Sequence, residues 1–442
     1  MSVDAARLRP FLRPLSGGSE DLDEIVSSAR NARYVLIGEA THGTHEFYSM
    51  RAEITKRLLA EEGFAAVAIE GDWPDAYRVH RYVNGRGDGD AEEALAGFRR
   101  FPTWMWRNAD VLDFVGWLRS FNDAMRPVQR AGFFGLDLYS LYSSMEAVVA
   151  YLDGVNPEAA RRARERYACF DAFGDDADTY AREAGLGLSS ACRNEAVAQL
   201  VEMQRRALAL LEFDGEAEAE REFFAEQNAF VVVGAEEYYR RMLDAGVSSW
   251  NLRDGFMYRT LERLREHLGR RRRTPAKIVV WAHNSHVGDA RATSMGTQGE
   301  FTIGQLAREA NASAARLIGF TTSAGSVTAA SGWGSATDRK TLRSPVEESW
   351  EALFSSTGLP RFVLDLEKAC AAYGDLDTTL LERAVGVVYL PESELRSHYM
   401  RARLCRQFDT LFHYEYTRAV EPLERGVGGQ RREAPETFPS GV

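Results

Sequence analysis

The chain has 442 residues, of which 45% are hydrophobic and 27% charged, a composition typical of a globular protein with a large buried core. Its 54 basic and 65 acidic residues give a net charge of −11, which argues against a nucleic-acid partner. No apolar stretch is long enough to span a membrane, and four widely spaced cysteines without a CxxC pair indicate a reducing compartment and no cysteine zinc site. We therefore predict a cytoplasmic protein without a membrane partner, and the sequence leaves its oligomeric state open.

Short apolar runs that end in polar residues recur along the chain, a pattern typical of strands covered on both faces. The predicted strands are Tyr34–Ile37, Ala65–Ile69, Ala131–Leu136, Ile278–Trp281, Leu317–Phe320, Phe362–Leu366, Val385–Leu390 and Phe408–His413. Between the first two, Glu46–Glu62 carries a helical apolar stripe and stops at Gly63. Alternating strands and helices predict an α/β fold with a mostly parallel central sheet flanked by helices.

The alternation is interrupted between about Tyr139 and Arg273, where the pattern is helical. We predict a large helical insertion over the functional edge of the sheet, which forms part of the pocket wall and determines which ligands fit. The predicted organisation is an α/β core in two parts, residues 1–138 and 276–423, with the insertion at residues 139–275 and a disordered tail at residues 424–442.

Acidic and imidazole side chains follow the predicted strands at the point where each strand ends. Glu39 and His42 follow the first, Glu70 the second, Asp137 the third, and His283 with His286 the fourth. Because the carboxyl ends of parallel strands share one edge, where α/β proteins bind ligands, we expect these side chains to converge.

His42 lies just before a predicted helix, whose N-terminus disfavours the imidazolium. A neutral ring can accept a proton, and nearby carboxylates then stabilise the resulting cation. The alternative is a histidine that caps the helix or is satisfied in the core.

Arg51 shares the apolar stripe of Phe47 and Ile54, so a buried guanidinium would need one of the strand-end acids as its partner. The alternative is an arginine at the border of the stripe that reaches water. His283 and His286 are candidate metal ligands, oxyanion donors or a second acid–base pair. These residue types can bind zinc, but the HExxH motif is absent, and we predict neither metal nor cofactor.

The aromatic segment with Trp104 and Trp106 predicts a pocket wall or lid, with ordinary packing as the alternative. We assign substrate binding to these two residues and to Asp137, Trp250 and Arg253, with apolar contact from the tryptophans. The sequence lacks the GxSxG, GxxxxGK[ST] and GxGxxG motifs, which removes the main support for a serine esterase, a P-loop NTPase or an ordinary dinucleotide enzyme.

Several motifs together resemble the erythromycin esterase family, over nearly the whole chain up to the tail. They are Gly38-Glu39-Ala40-Thr41-His42-Gly43, Ile69-Glu70-Gly71-Asp72-Trp73, Phe101-Pro102-Thr103-Trp104-Met105-Trp106-Arg107-Asn108, Gly135-Leu136-Asp137-Leu138-Tyr139-Ser140 and Trp281-Ala282-His283-Asn284-Ser285-His286-Val287-Gly288-Asp289. The resemblance implies a metal-independent hydrolase of macrolide lactone esters, with His42 as the general base. It also implies active-site roles for Glu39, Arg51, Glu70, His283 and His286. The family pattern often has a histidine where this chain has Phe256.

We therefore expect a hydrolase of a small-molecule ester or lactone. His42 would activate water, Glu39 and Glu70 would orient it and stabilise the imidazolium, and Arg51, His283 and His286 would bind the ester and its oxyanion. Two alternatives remain: an acyl-transfer or ester-exchange enzyme of secondary metabolism with the same base, and a non-catalytic binding protein.

Overall fold

The computed structural model describes residues 5–87, 89–173, 177–185, 192–210, 216–243 and 248–424. The strands are β1 Leu12–Pro14, β2 Tyr34–Ile37, β3 Ala66–Asp72, β4 Gly132–Asp137, β5 Ile278–Trp281, β6 Ala315–Ala330, β7 Thr337–Thr341, β8 Arg361–Asp365, β9 Leu380–Arg383, β10 Tyr399–Ala402 and β11 Thr410–Thr417.

The helices fall into three groups along the chain. Before β4 and between the early strands lie α1 Ala5–Leu8, α2 Asp23–Ser28, α3 His45–Glu61, α4 Trp73–Val83, α5 Ala91–Leu95 and α6 Ala109–Asp123. Between β4 and β5 lie α7 Leu141–Val155, α8 Pro157–Tyr167, α9 Ala177–Gly185, α10 Arg193–Leu210, α11 Glu216–Arg241 and α12 Ser249–Arg272. After β5 lie α13 Asn284–Val287, α14 Ser294–Thr297, α15 Ile303–Asn311, α16 Trp350–Ser355, α17 Leu366–Ala372, α18 Glu394–Ser397 and α19 Leu404–Gln407.

One nine-stranded sheet organises the fold. Its order is β1-β8-β11-β6-β2-β5-β3-β4, with β7 paired to β6, and β9 and β10 form a separate antiparallel pair. The pairings from β11 through β6, β2, β5 and β3 to β4 are all parallel, whereas β1, β7 and β8 pair antiparallel. This topology confirms the predicted α/β fold with a mostly parallel sheet and flanking helices.

Helices cover both faces of the sheet, which explains why its central strands are apolar without alternation. In β2, Tyr34 and Leu36 belong to the core on one face, together with α7, α11 and α12. Val35 and Ile37 belong to the core on the other face, together with α3 and α6. All four side chains are fully buried. The site therefore sits on a rigid, doubly covered support.

The predicted strand Val385–Leu390 is wrong. The structure has β9 just before this segment, and only Val385 and Val388 form isolated bridges, with Thr41 and Ala330 respectively. Val385 is buried against Val327 rather than joined to the sheet ladder. An apolar run can thus be buried by crossing over the end of a sheet, and periodicity does not distinguish that case from a strand.

The segment between β4 and β5 is helical in its described parts, and α12 leads directly back to the sheet. The predicted boundaries at residues 139–275 remain a prediction. Of the predicted tail, Glu424 is described and pairs with Arg107 at 2.8 Å, while residues 425–442 lie outside the described chain.

All four cysteines are paired, Cys169 with Cys192 and Cys370 with Cys405, with Cα atoms 5.8 and 5.9 Å apart. Sequence spacing cannot reveal such pairs, because they are created by the packing of distant segments. The pairing removes the cysteine argument for a reducing compartment, since disulfides persist mainly in oxidising ones, and a cytoplasmic location stays a prediction. Among the described helices, none is long and apolar enough to cross a membrane.

Candidate active site

β2 and β5 end at one level of the sheet, and β3 and β4 continue only a few residues beyond it, where Glu70 and Asp137 lie. Ile37 at the end of β2 pairs with Trp281 of β5 and Ile318 of β6, and Ile69 of β3 pairs with Trp281 and with Gly135 of β4. The side chains at and just beyond this level therefore lie at one edge of the sheet, as the argument from strand ends predicts, although β6 continues past it to Ala330.

Two glycines press the loop after β2 against its neighbours. A Cβ on Gly38 would lie 2.1 Å from the side-chain oxygen of Asn284, and a Cβ on Gly43 would lie 1.9 Å from the carbonyl oxygen of Thr328. Neither gap admits any side chain. The close approach fixes the loop that carries the strand-end glutamate and histidine.

Glu39, His42 and Arg51 form what we call the Glu39 cluster. The Nδ1 atom of His42 lies 2.8 Å from Oε1 of Glu39, and Nη2 of Arg51 lies 2.9 Å from Oε2. Arg51 is fully buried, with its guanidinium carbon 4.2 Å from the ring centre of Tyr48 and 5.2 Å from that of Trp281. The arginine is thus a buried partner of a strand-end acid rather than a residue reaching for water.

Glu70 accepts hydrogen bonds on both oxygens. Its Oε1 accepts from Nη2 of Arg253 at 2.9 Å and faces Nε2 of His286 at 3.2 Å, and its Oε2 accepts from the backbone N–H of His283 at 2.9 Å. Burial alone would raise the pKa of the Glu70 carboxyl, but His286 and Arg253 outweigh it and hold the pKa well below its usual range. Glu70 is therefore ionised.

His286 lies between two carboxylates. Its Nδ1 is 2.8 Å from Oδ2 of Asp254, opposite the contact with Glu70, and Trp250 stacks on the ring at 4.2 Å with an interplanar angle of 8°. Burial lowers the pKa of His286, but Asp254 and Glu70 outweigh burial and raise the pKa to about 9. The ring is therefore an imidazolium at neutral pH, with both nitrogens donating.

Arg253 joins Glu70 to Asp137. Its Nε donates to Oδ1 of Asp137 at 3.1 Å and its Nη2 to Oδ2 at 2.6 Å. Both Arg253 and Asp137, predicted to bind substrate, are thus engaged with each other. We call Glu70, Asp137, Arg253, Asp254 and His286 the Glu70 network.

His283 lies between the Glu39 cluster and the Glu70 network. Its ring centre lies 4.9 Å from that of His42. Its Nδ1 accepts from the backbone N–H of Ser285 at 3.2 Å and contacts the Ser285 hydroxyl at 2.8 Å, which leaves the proton on Nε2. Burial and the nearby His42 lower the pKa of His283 well below its usual range, so the ring is neutral. Among the described residues, Nε2 finds no well-aligned hydrogen-bond partner, and the ring has only a weakly aligned contact with the backbone oxygen of Ala40.

Acidic side chains outnumber cations among the residues of the site. Two cations, Arg51 and Arg253, and the His286 imidazolium face four carboxylates, which belong to Glu39, Glu70, Asp137 and Asp254. One negative charge is in excess among these groups, before the His42 ring is counted. Because all these groups are buried, solvent screens this excess weakly.

A cleft opens beside Glu70 and Arg253. Trp106 lines it and donates its indole N–H to the backbone oxygen of Glu70 at 3.0 Å. Trp104 is buried in the core that contains α3 and α6, and it does not line the cleft. Its position agrees with the alternative of ordinary packing. The lining residues are Glu70, Gly71, Asp72, Asp75, Phe98, Arg100, Phe101, Pro102, Met105, Trp106 and Arg253.

Sequence reasoning missed Asp254, although its signal was present. Trp250, Arg253, Asp254 and Met257 follow the helical spacing of one face, and two charged members on a buried face need partners there. The neighbouring departure from the family pattern, Phe256, stacks on Phe230 at 4.9 Å and is fully buried in the helical layer. It therefore does not reach the site.

The site residues do not resemble a metal centre. Within the described residues, no group of three or more His, Cys, Asp or Glu side chains is arranged to hold a metal ion. The absence of a metal from the reaction remains a prediction.

Residues 59–417 match the erythromycin esterase family. Glu70, His283 and His286 lie inside the matched segment, and Glu39, His42 and Arg51 precede it. A curated relative, YbfO of Bacillus subtilis (strain 168), which is named as a hydrolase, is 23% identical over 166 residues. That match covers 37% of this chain and only 35% of the relative, so this chain aligns with about a third of its length.

Solved structures share the fold. A protein from Bacillus cereus superposes with a TM-score of 0.74 at 22% identity, over 95% of this chain and 98% of the other. A succinoglycan biosynthesis protein gives 0.73 at 20% identity, over 94% and 97%. A mutant of the erythromycin esterase EreC in its open conformation gives 0.63 at 16% identity, over 90% and 94%. The family match supports an esterase-like hydrolase, and the chain belongs to the erythromycin esterase family.

Proposed function

We propose that this chain hydrolyses a carboxylic ester or lactone by adding a water molecule that His42 activates. The observation that carries the proposal is the buried contact of 2.8 Å between Nδ1 of His42 and Glu39, itself paired with Arg51. In this arrangement Nδ1 carries the proton and donates to the carboxylate, so Nε2 is the basic nitrogen.

The reaction proceeds in two steps. In the first, Nε2 of His42 takes a proton from water while the water oxygen bonds to the ester carbon, and the carbonyl electron pair moves onto its oxygen. In the second, that pair re-forms the carbonyl, the bond to the alcohol oxygen breaks, and the His42 imidazolium returns its proton to the leaving alcohol. No side chain becomes acylated.

The surrounding groups stabilise these charges. Glu39 and the excess negative charge of the site favour the His42 imidazolium. The Nε2–H of the neutral His283 has only a weakly aligned contact, with the backbone oxygen of Ala40, which leaves it suited to the oxygen on which negative charge develops. His286 has both nitrogens engaged, so it acts by its charge and by fixing Glu70, and Arg51 acts in the same way on Glu39.

The lining of the cleft supports a substrate that has an apolar part. Its wall is formed by Phe98, Phe101, Pro102, Met105 and Trp106, which would bury apolar substrate surface. The charged groups at its inner end would receive the ester.

The test is a screen of esters and macrolactones in ¹⁸O-labelled water, read by mass spectrometry. Hydrolysis places one labelled oxygen in the acid and none in the alcohol. Transfer of the acyl group to an added alcohol, without label, would instead establish an ester-exchange enzyme. Tight binding of these compounds with no turnover of any would establish a binding protein and contradict the proposal.

A further inference from the structure

Buried polar atoms that lack a hydrogen bond of good geometry are concentrated at the Glu39 cluster and beside it. They include Oε2 of Glu39 and Nη2 of Arg51, which form an ion pair at 2.9 Å, the other guanidinium nitrogens of Arg51, Nε2 of His283 and the hydroxyl of Tyr48. More than nine in ten buried polar groups in proteins are paired, so a concentration at one place calls for an explanation. Three of these four residues already have roles in the proposed reaction, and Tyr48 has none.

The ring of Tyr48 is fixed from two sides. Tyr48 lies one turn before Arg51 on α3, and the guanidinium sits over its ring at 4.2 Å. The ring of Trp106, which is bonded to the backbone of Glu70, meets it edge to face at 6.3 Å. The side chain is 1% exposed. Such packing leaves the hydroxyl a defined direction rather than a choice of rotamers.

The hydroxyl of Tyr48 lies near the carboxylates of Glu39 and Glu70. Burial and then the Glu39 carboxylate raise its pKa well above the usual value, with a smaller contribution from Glu70 and an opposing one from Arg51. The phenol is therefore protonated at every working pH. Its oxygen receives a weakly aligned hydrogen bond from Arg51, and among the described residues its O–H has no well-aligned acceptor, although both carboxylates lie near enough to act on it.

An unpaired buried hydroxyl costs roughly 1–3 kcal/mol of stability. Such a cost is understandable where the acceptor arrives with the substrate, as in oxyanion sites. We propose that the Tyr48 hydroxyl is a further catalytic residue of this site, donating a hydrogen bond, beside Nε2 of His283, to the oxygen that becomes negative when water adds to the ester. The inference rests on the proposed function.

The chain offers a matched control for the missing hydroxyl. Tyr167, in α8, is 6% exposed and its hydroxyl likewise lacks a hydrogen-bond partner among the described residues. It belongs to the core of the helical layer. Tyr167→Phe thus removes the same kind of group at a place with no role in the reaction.

The experiment compares wild type, Tyr48→Phe, Tyr167→Phe and His42→Gln on 4-nitrophenyl butyrate and on ethyl butyrate. We expect Tyr48→Phe to lower kcat about 100-fold on both esters, with little change in KM. Its melting temperature should stay level or rise, since an unpaired buried hydroxyl is lost. Tyr167→Phe should share the stability result and keep wild-type turnover.

Each other outcome has a distinct meaning. Wild-type turnover no higher than that of His42→Gln would contradict the proposed function and this inference together. Clear wild-type turnover matched by Tyr48→Phe would overturn the role of Tyr48 alone. A loss confined to the alkyl ester would place the hydroxyl at the leaving oxygen, and a loss accompanied by a lower melting temperature would make it structural. Either result overturns the oxyanion assignment.

Discussion

The Glu39 cluster and the Glu70 network lie side by side at the ends of neighbouring strands, yet they are built differently. In the Glu70 network every charged side chain has two or more partners, and none of its polar atoms is unpaired. In the Glu39 cluster, several buried polar atoms lack hydrogen bonds of good geometry. Both are equally buried.

The difference separates two tasks. Satisfied, charge-assisted bonds hold a structure in one arrangement, and they tie α12 and α13 to the sheet. Unsatisfied groups cost stability and are suited to receive a partner during the reaction. We infer that the Glu39 cluster performs the chemistry and that the Glu70 network holds its surroundings. The following predictions examine that division.

The largest effect is expected at His42. His42→Gln should lower kcat by about 10²- to 10⁴-fold, because general-base action is lost, and should leave the melting temperature nearly unchanged. The control is His45→Gln, three residues along, where the ring pairs with Asp110 at 2.7 Å and is 27% exposed. Turnover of His42→Gln close to wild type, or equal losses in both variants, would contradict the assignment of the base.

Arg253→Met, unlike His42→Gln, should mainly lower the stability of the protein. It leaves Glu70 and Asp137 buried without their shared cation, which should cost about 3–5 kcal/mol in the free energy of unfolding. Arg270→Met on the same helix removes an exposed pair with Glu266 and should cost under about 0.5 kcal/mol. Urea denaturation measures both. Arg253→Met with wild-type stability would show that the network is not what holds the site.

The His286 imidazolium should make stability depend on pH. Its folded pKa of about 9 lies above the ordinary 6.5, so its contribution is full below pH 6.5 and is lost as the pH rises through about 9. Glu382 and Asp75 each have a pKa raised to about 8. Their contributions to the stability of the fold are therefore also lost as the pH rises, at a somewhat lower pH than that of His286. His286→Gln should therefore flatten, but not abolish, the fall in unfolding free energy between pH 6.5 and 9. An unchanged slope in that variant would contradict the charged state assigned to His286.

Chelation should have no effect, because each histidine and carboxylate of the site has an acid–base or structural role. Activity after dialysis against EDTA should equal that of untreated protein. Stoichiometric zinc or manganese in the purified protein, with activity lost on EDTA and restored by the metal, would require Glu39 and Glu70 to be reassigned as ligands.

Local sequence pattern predicted the parts of the site that depend on strand ends. Glu39, Glu70 and His283 each follow an apolar run, and the need of a buried Arg51 for an acid follows from its place on an apolar stripe. Their convergence depended on β2, β5 and β3 being neighbours, which is set by pairings between residues more than 200 positions apart. No local sequence pattern encodes this order of strands in the sheet.

The parts that escaped prediction depend on packing between distant segments. The pairing of Asp254 with His286 joins α12 to α13, and both disulfides join segments that only the folded chain brings together. The exposure of Trp104 and Trp250 was also undecidable from sequence. The first proved to be core, and the second stacks on His286 rather than facing an open pocket.

The central claim is that the base of the reaction is the imidazole of His42, and chemical rescue tests it most directly. His42→Ala should be nearly inactive on the ester that the screen identifies, and added imidazole should restore turnover in proportion to its neutral fraction. Turnover of His42→Ala within a few-fold of wild type before any imidazole is added would contradict the claim.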